Sequence, residues 1–293
     1  MTILDANLVS SNVSENDAPE WAAGTTYAAG QRVMRTANQV HRVYESMANG
    51  NVGNVPESTA GIKWIDLGST NRWRMLRTDA NVQTTAASPI VIEVKLPRRV
   101  QGIGLLRVDA DRVKVQSSDG YSSVQDLRKR YTQGWYDYFY GQLRFRTVAL
   151  FLDLPRSNSN TVFTITIERL SGGPISCGPV VFGNPVDLGE VQDGSEYGIR
   201  DFSTVTRDTF GNATLIKRKR IPSTSQRTIL DKEQVEVVQQ TLGDLTASVA
   251  LWFGLEDVTD DYFSALAVLG LITNSKMTLQ STYATLALDL EGL

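Results

Sequence analysis

The chain carries one cysteine and one histidine in 293 residues, and these two scarcities remove most familiar site chemistry. A lone Cys177 excludes an internal disulfide and any multi-cysteine metal site. A lone His41 would have to serve every Ser-His-Asp or Cys-His arrangement, yet it sits in an alternating, strand-like stretch and reads as a surface residue. Zinc needs several such ligands together. No phosphate loop stands out, because Gly102-Ile-Gly104 lacks the third glycine and the following helix. Charge of one sign is also missing: 29 basic and 32 acidic residues leave a net charge of -3. The one basic run, Lys217-Arg-Lys-Arg220, reads as a solvated strand face, so nucleic acid is not expected as a partner. Long apolar runs are absent. The longest, Ala265–Ile272, has eight residues against the ~20 of a spanning helix, so no membrane insertion is expected. Met1-Thr-Ile-Leu-Asp5 has neither a basic start nor an apolar stretch, which predicts no signal peptide. Glu256-Asp257-Val-Thr-Asp260-Asp261 lacks the alternating acidic spacing and the glycine of a calcium loop and reads as a plain acidic loop. Nothing singles out a carboxylate pair for glycoside hydrolysis. The expectation is a non-enzymatic protein with no catalytic residues, no metal and no cofactor.

What is present is aromatic, and it is clustered. Three of the five tryptophans, Trp21, Trp64 and Trp73, fall between residues 21 and 76. Turn signals at Gly24, Gly30 and Asn49-Gly50 separate strand-like pieces such as Arg32–Arg35 and Val40–Glu45. So short a segment cannot be held by aliphatic packing alone, whereas each large ring buries roughly 150–250 Å². Trp21, Tyr27, Tyr44, Trp64 and Trp73 are therefore expected to form the core of a small β module over residues 19–76.

The remaining segments are organised around it. Residues 1–18 are polar and aperiodic, as in an N-terminal arm that is disordered or ordered against a partner. Over residues 77–172, Ile90/Ile92/Val94/Leu96, Val148/Leu150/Leu152/Leu154 and Phe163/Ile165/Ile167 alternate with other residues, the period of a β-sandwich. Between these runs lies Trp135-Tyr-Asp-Tyr-Phe-Tyr140, read either as a strand packed on its neighbour or as a sugar-stacking or docking surface. On the second reading, Trp135, Tyr136, Tyr138 and Tyr140 are the candidate glycan-binding residues. Residues 173–293 open on a Gly/Pro-dense crossover and read as a β-rich assembly domain. It should contain a hairpin turn at Gly211-Asn212 and one amphipathic helix carrying Val235, Val238, Leu242 and Leu245 behind an Asp231–Gln234 capping box. Met277–Leu290 is expected to be one long strand. The apolar runs Val249–Phe253 and Ala265–Ile272 suggest surplus surface for an interface. The predicted fold class is mainly β and multidomain.

Two resemblances add to this reading. Trp21, Tyr27-x-x-Gly30-x-x-Val33, Val43-Tyr44, Pro56 and Trp64 follow the pattern of small type-3 carbohydrate-binding modules of chitinases and cellulases. The aromatic pair that stacks on sugar in those modules is replaced here by Glu45–Gly50, which has no aromatic. Across nearly the whole length, the chain resembles a family of tailed-bacteriophage virion proteins. The matching phrases are Gly68-Ser-Thr-Asn-Arg-Trp-Arg-Met75, Leu105–Val115, Trp135–Phe139, Ile175-Ser-Cys-Gly178, Asp187-Leu-Gly189 and Asp208-Thr-Phe-Gly-Asn212. The resemblance implies a tail, baseplate or fibre-attachment protein of the virion, made in the host cytoplasm and assembled as a symmetric homo-oligomer with other tail proteins. Host surface polysaccharide would be a further partner if the protein acts as a glycan-binding adhesin. A polysaccharide-degrading enzyme is the third reading.

Overall fold

The computed structural model describes residues 1, 6–78, 82–129, 134–141, 144–255, 257–260 and 262–293. The fold is mainly β. The chain forms two compact units, Asp5–Val181 and Phe182–Leu293 with Met1. The aromatic module and the sandwich region, expected as separate domains, share the first unit.

In that unit β1 (Asn7–Ser11) is an edge strand, paired with residues 92–95. The predicted arm is thus in part a strand of the protein's own sheet. Its exposed, polar pattern hid this, since an edge strand needs no buried face. Next, β2 (Arg32–Arg35), β3 (Arg42–Ser46) and β4 (Trp64–Ser69) form the antiparallel sheet of the module. Tyr27, Val33, Tyr44 and Trp64 are buried together, with Trp21 packed against them. The rings of Tyr27 and Trp64 meet edge to face at 5.3 Å, and Trp64 Nε1 donates to the Asn54 carbonyl. Trp73 lies outside this cluster.

Downstream run β5 (Thr84–Ala87), β6 (Ile90–Lys95), β7 (Gly102–Leu106), β8 (Arg112–Ser117), β9 (Ser122–Asp126) and β10 (Arg128–Lys129). They are followed by α1 (Trp135–Tyr140), β11 (Arg144–Phe145), β12 (Val148–Phe151), β13 (Val162–Glu168), β14 (Pro174–Cys177) and β15 (Val180–Gly183). One sheet has the order β1-β6-β13-β8-β9 and another the order β12-β7-β15. In the first, register aligns Ile92, Ile165 and Val115 on one fully buried face, as the period-2 pattern predicts. By contrast β12 is buried on both faces, with Ala149 and Phe151 inside as well as Val148 and Leu150. Alternation there was incidental; continuous burial reads as an apolar run.

The second unit contains β16 (Glu190–Val191), β17 (Glu196–Asp201), β18 (Thr204–Arg207), β19 (Ala213–Ile216) and β20 (Arg220–Asp231). Then come α2 (Val235–Asp244), β21 (Ala250–Trp252), α3 (Phe263–Leu266), β22 (Val268–Leu279) and β23 (Tyr283–Gly292). Strands order as β16-β20-β23-β22-β21, with β17 also pairing β20. Leu286, Leu288 and Leu290 are buried with Leu230, Val238, Leu245 and Trp252. The helix appears where its spacing predicts, but no side chain caps it and a 3-10 turn over Lys232–Gln234 precedes it. The single strand expected over Met277–Leu290 is instead the end of β22 and most of β23, separated by a turn where Gln280 N–H bonds the Tyr283 carbonyl. Nor are Val249–Phe253 and Ala265–Ile272 surplus: Ala250, Leu251, Trp252, Leu266 and Val268 are buried in this unit itself.

Candidate functional site

The phrase Gly68–Met75 becomes a joint inside the first unit. β4 ends at Ser69, and Thr70 and Met75 are fully buried. Thr84 Oγ1, at the start of β5, donates to the Asn71 carbonyl and accepts from the Met75 N–H. The Asn71 side chain accepts from Thr85 N–H at 2.9 Å and donates to the Thr85 carbonyl at 2.8 Å, mimicking a strand partner. Residues 13–17 run alongside as a strap. Glu15 accepts from Thr70 Oγ1 at 2.7 Å and lies 2.8 Å from His41 Nδ1, while Asp17 pairs with Arg74 at 3.1 Å. Arg72 Nε donates to the Val13 carbonyl. Trp73 stacks on His41 with centroids 4.3 Å apart. The histidine and the third module tryptophan are therefore both committed where the module meets the strap, while Asn71 and the Met75 N–H tie the joint to β5. Residues 1–76 thus reach the rest of the unit at two places, through the pairing of β1 with residues 92–95 and through the bonds of Asn71 and Met75 to Thr84 and Thr85.

The four predicted glycan-binding residues stand together, but on a helix. α1 lies between Gly134 and Gly141, in an excursion whose ends are brought together by the β10–β11 pair. Trp135 is 83% exposed and Tyr136, Tyr138, Phe139 and Tyr140 are exposed beside it. Tyr136 and Tyr140, one turn apart, approach to 5.2 Å, and Tyr138 meets Phe139 edge-on at 5.1 Å. The expectation of a strand packed on its neighbour is not met. Five rings on six consecutive helical residues point around the axis, so no single surface can cover them. Phe139 was missed as a member of this patch, although its place in the same aromatic run marks it.

A second exposed aromatic, Phe210, was also passed over. It is 89% exposed at the turn between β18 and β19. Its signal was the Asp208-Thr-Phe-Gly-Asn212 phrase, which reads as a turn and gives no hint of how far the turn stands from the sheet.

Other chemistry-bearing groups are tied up locally. Cys177 is buried, and burial pushes its thiol up to about 12. A groove of about 220 Å³ lies over β17, β20 and β23, lined by Glu196, Asp289 and Glu291. It is smaller than the roughly 300–1,000 Å³ of ordinary ligand pockets. Asp289 is engaged by Ser225 and Asn274, and Glu291 by Arg200 at 2.7 Å. In the acidic loop, Asp257 accepts from Thr259, and Asp260 accepts from the Tyr262 N–H; Glu256 and Asp261 lie outside the described residues. Among the described residues no group of three His, Cys, Asp or Glu side chains is placed to hold a metal, and no helix is long and apolar enough to cross a membrane.

No protein-family model matches the chain, and no curated protein emerges as a relative. The functional reading therefore rests on the residues themselves.

Proposed function

We propose that the protein is a structural component of a bacteriophage tail: a tail, baseplate or fibre-attachment protein. In this reading it is non-enzymatic, assembles as a symmetric oligomer among other tail proteins, and anchors fibres or contacts the host surface. The observation that carries the reading is where the apolar surface lies. Large rings stand in water on two excursions from β sheets, at α1 and at Phe210, while the lone cysteine is buried and the lone histidine is half-buried against Glu15. Exposed apolar patches of this kind mark contact surfaces. The resemblance of Gly68–Met75 and the later phrases to tail proteins supplies the setting.

The test is the position of the chain in a reconstruction of the purified virion. Repeated copies arranged with the tail symmetry are expected; absence of the chain from purified particles overturns the proposal. A glycan-binding adhesin is the second reading, favoured by the exposure of Trp135, Tyr136, Tyr138 and Tyr140. Flat exposed rings can stack on sugar faces, and titration of the intact protein with host lipopolysaccharide decides it.

A further inference from the structure

Between Asp201 and Arg220 the chain leaves the sheet of the second unit as a long hairpin. Nineteen of these twenty residues are exposed, and Ser203 is half-buried. The β17–β20 pairing ends at Asp201↔Arg220, and β18–β19 resumes from Thr204↔Ile216 to Arg207↔Ala213. At ~3.3 Å per residue, the tip stands roughly 30 Å beyond the sheet. Val205 faces Leu215 across the strands, and Phe202 and Ile216 are exposed as well. A two-stranded hairpin in water is marginal by itself.

The tip is nonetheless braced. Asp208 accepts from the N–H groups of Phe210 and Asn212 and from the Asn212 side chain, at 2.8–2.9 Å, and Gly211 takes the positive φ the turn requires. These bonds hold the Asp208 carboxyl below its usual range. A rigid mount for a nearly fully exposed phenylalanine has the form of an interface anchor.

Charge indicates what the anchor meets. From Arg200 to Arg220 there are six basic and two acidic residues, in a chain whose net charge is -3. Arg200 and Arg220 have carboxylate partners in Glu291 and Asp201. Arg207, Lys217, Arg218 and Lys219 have none among the described residues. The reciprocal surface is on α2 and its entry turn. Glu233, Glu236, Val237, Gln240 and Asp244 recur at helical spacing on the side opposite Val238, and all five are exposed. Their three carboxylates have no basic partner among the described residues, and Val237 supplies an apolar centre.

We infer that the 201–220 arm of one copy docks on the outer face of α2 of a second copy. Val205 and Leu215 then cover Val237, the neighbouring arm cations Lys217 and Lys219 meet Glu233 and Glu236, and Phe210 at the tip reaches further along the second copy. The contact joins two different surfaces, so every copy offers both an arm and an α2 face to its neighbours. This deepens the oligomer reading above and rests on it.

The test is sedimentation of the full chain at moderate salt. Wild type is expected to self-associate. Lys217→Glu with Lys219→Glu should weaken association on the order of thirtyfold, as should Glu233→Lys with Glu236→Lys, because each reversal sets like charges together. Combining all four should restore it. Phe210→Ala should weaken association with no change in the melting temperature. A wild type that remains monomeric at ~100 µM, reversals without effect, or a fourfold variant that is not restored each overturn the inference. The two proposals fail separately: an arm-dependent oligomer missing from virions removes the tail role alone, whereas a virion protein indifferent to the arm variants removes the arm contact alone.

Discussion

The tryptophan module and α1 are built from the same kind of side chain and put it to opposite uses. In the module, Tyr27, Tyr44 and Trp64 are separated by turns, arrive from a bridge residue and two different strands, and share one small interior. In α1, Trp135 to Tyr140 are contiguous, and contiguity on a helix spreads the rings around the axis. Spacing, more than aromatic content, decides whether rings become core or surface. A core needs residues delivered from several directions, whereas a display needs only that nothing be placed opposite.

The largest effect that would break this contrast comes from paired truncations. Trp64→Ala should cost about 3–5 kcal/mol in denaturant unfolding, because a fully buried ring leaves a cavity. Trp135→Ala should stay within about 0.5 kcal/mol of wild type, as expected for a surface position. Comparable losses for the two variants would mean that the α1 rings are packed and the contrast is false.

A smaller effect probes the joint. Asn71→Ala removes both side-chain bonds to the Thr85 backbone and should cost about 1–3 kcal/mol. Amide exchange at Thr85 should accelerate; unaltered protection there would show that the module is held by other contacts.

If α1 serves as a sugar platform, Trp135→Ala with Tyr138→Ala should weaken polysaccharide binding about tenfold or more while leaving the melting temperature unchanged. Undiminished binding would remove α1 from the adhesin reading.

The smallest effect concerns Cys177. With the thiol pushed up to about 12, the reactive thiolate is scarce in the folded chain at pH 8. Alkylation should therefore be negligible until the chain unfolds, and rapid labelling of the native protein would show that the residue is not enclosed.

Much of the fold was legible where one face is buried and the other wet. β6, β13 and β23 follow from period-2 alternation, and α2 from the spacing of Val235, Val238, Leu242 and Leu245. β12 was legible as a strand but not in its burial, because a strand covered on both faces has no wet side to alternate with. The joint was illegible as a contact. Its partners, such as Asp17 with Arg74 or Val13 with Arg72, are more than fifty residues apart and carry no local period. The polar segment 7–17 looked like an arm because its role is to bond rather than to bury. Of the candidate site, the aromatic run was visible in the letters, but α1 was not, since aromatic residues favour strands by local propensity.

The attachment of the 201–220 hairpin also has a mechanical side. A pull on Phe210 runs down both legs of the hairpin and enters the sheet through β17 and β20. The latter is a twelve-residue strand paired with β23 over nine positions from Ser223↔Glu291 to Asp231↔Tyr283. Force along the axis of such a strand loads its cross-strand hydrogen bonds side by side, so they must yield together and not one after another like a zipper. A tether held at its tip would thus be anchored in the direction in which a sheet resists most.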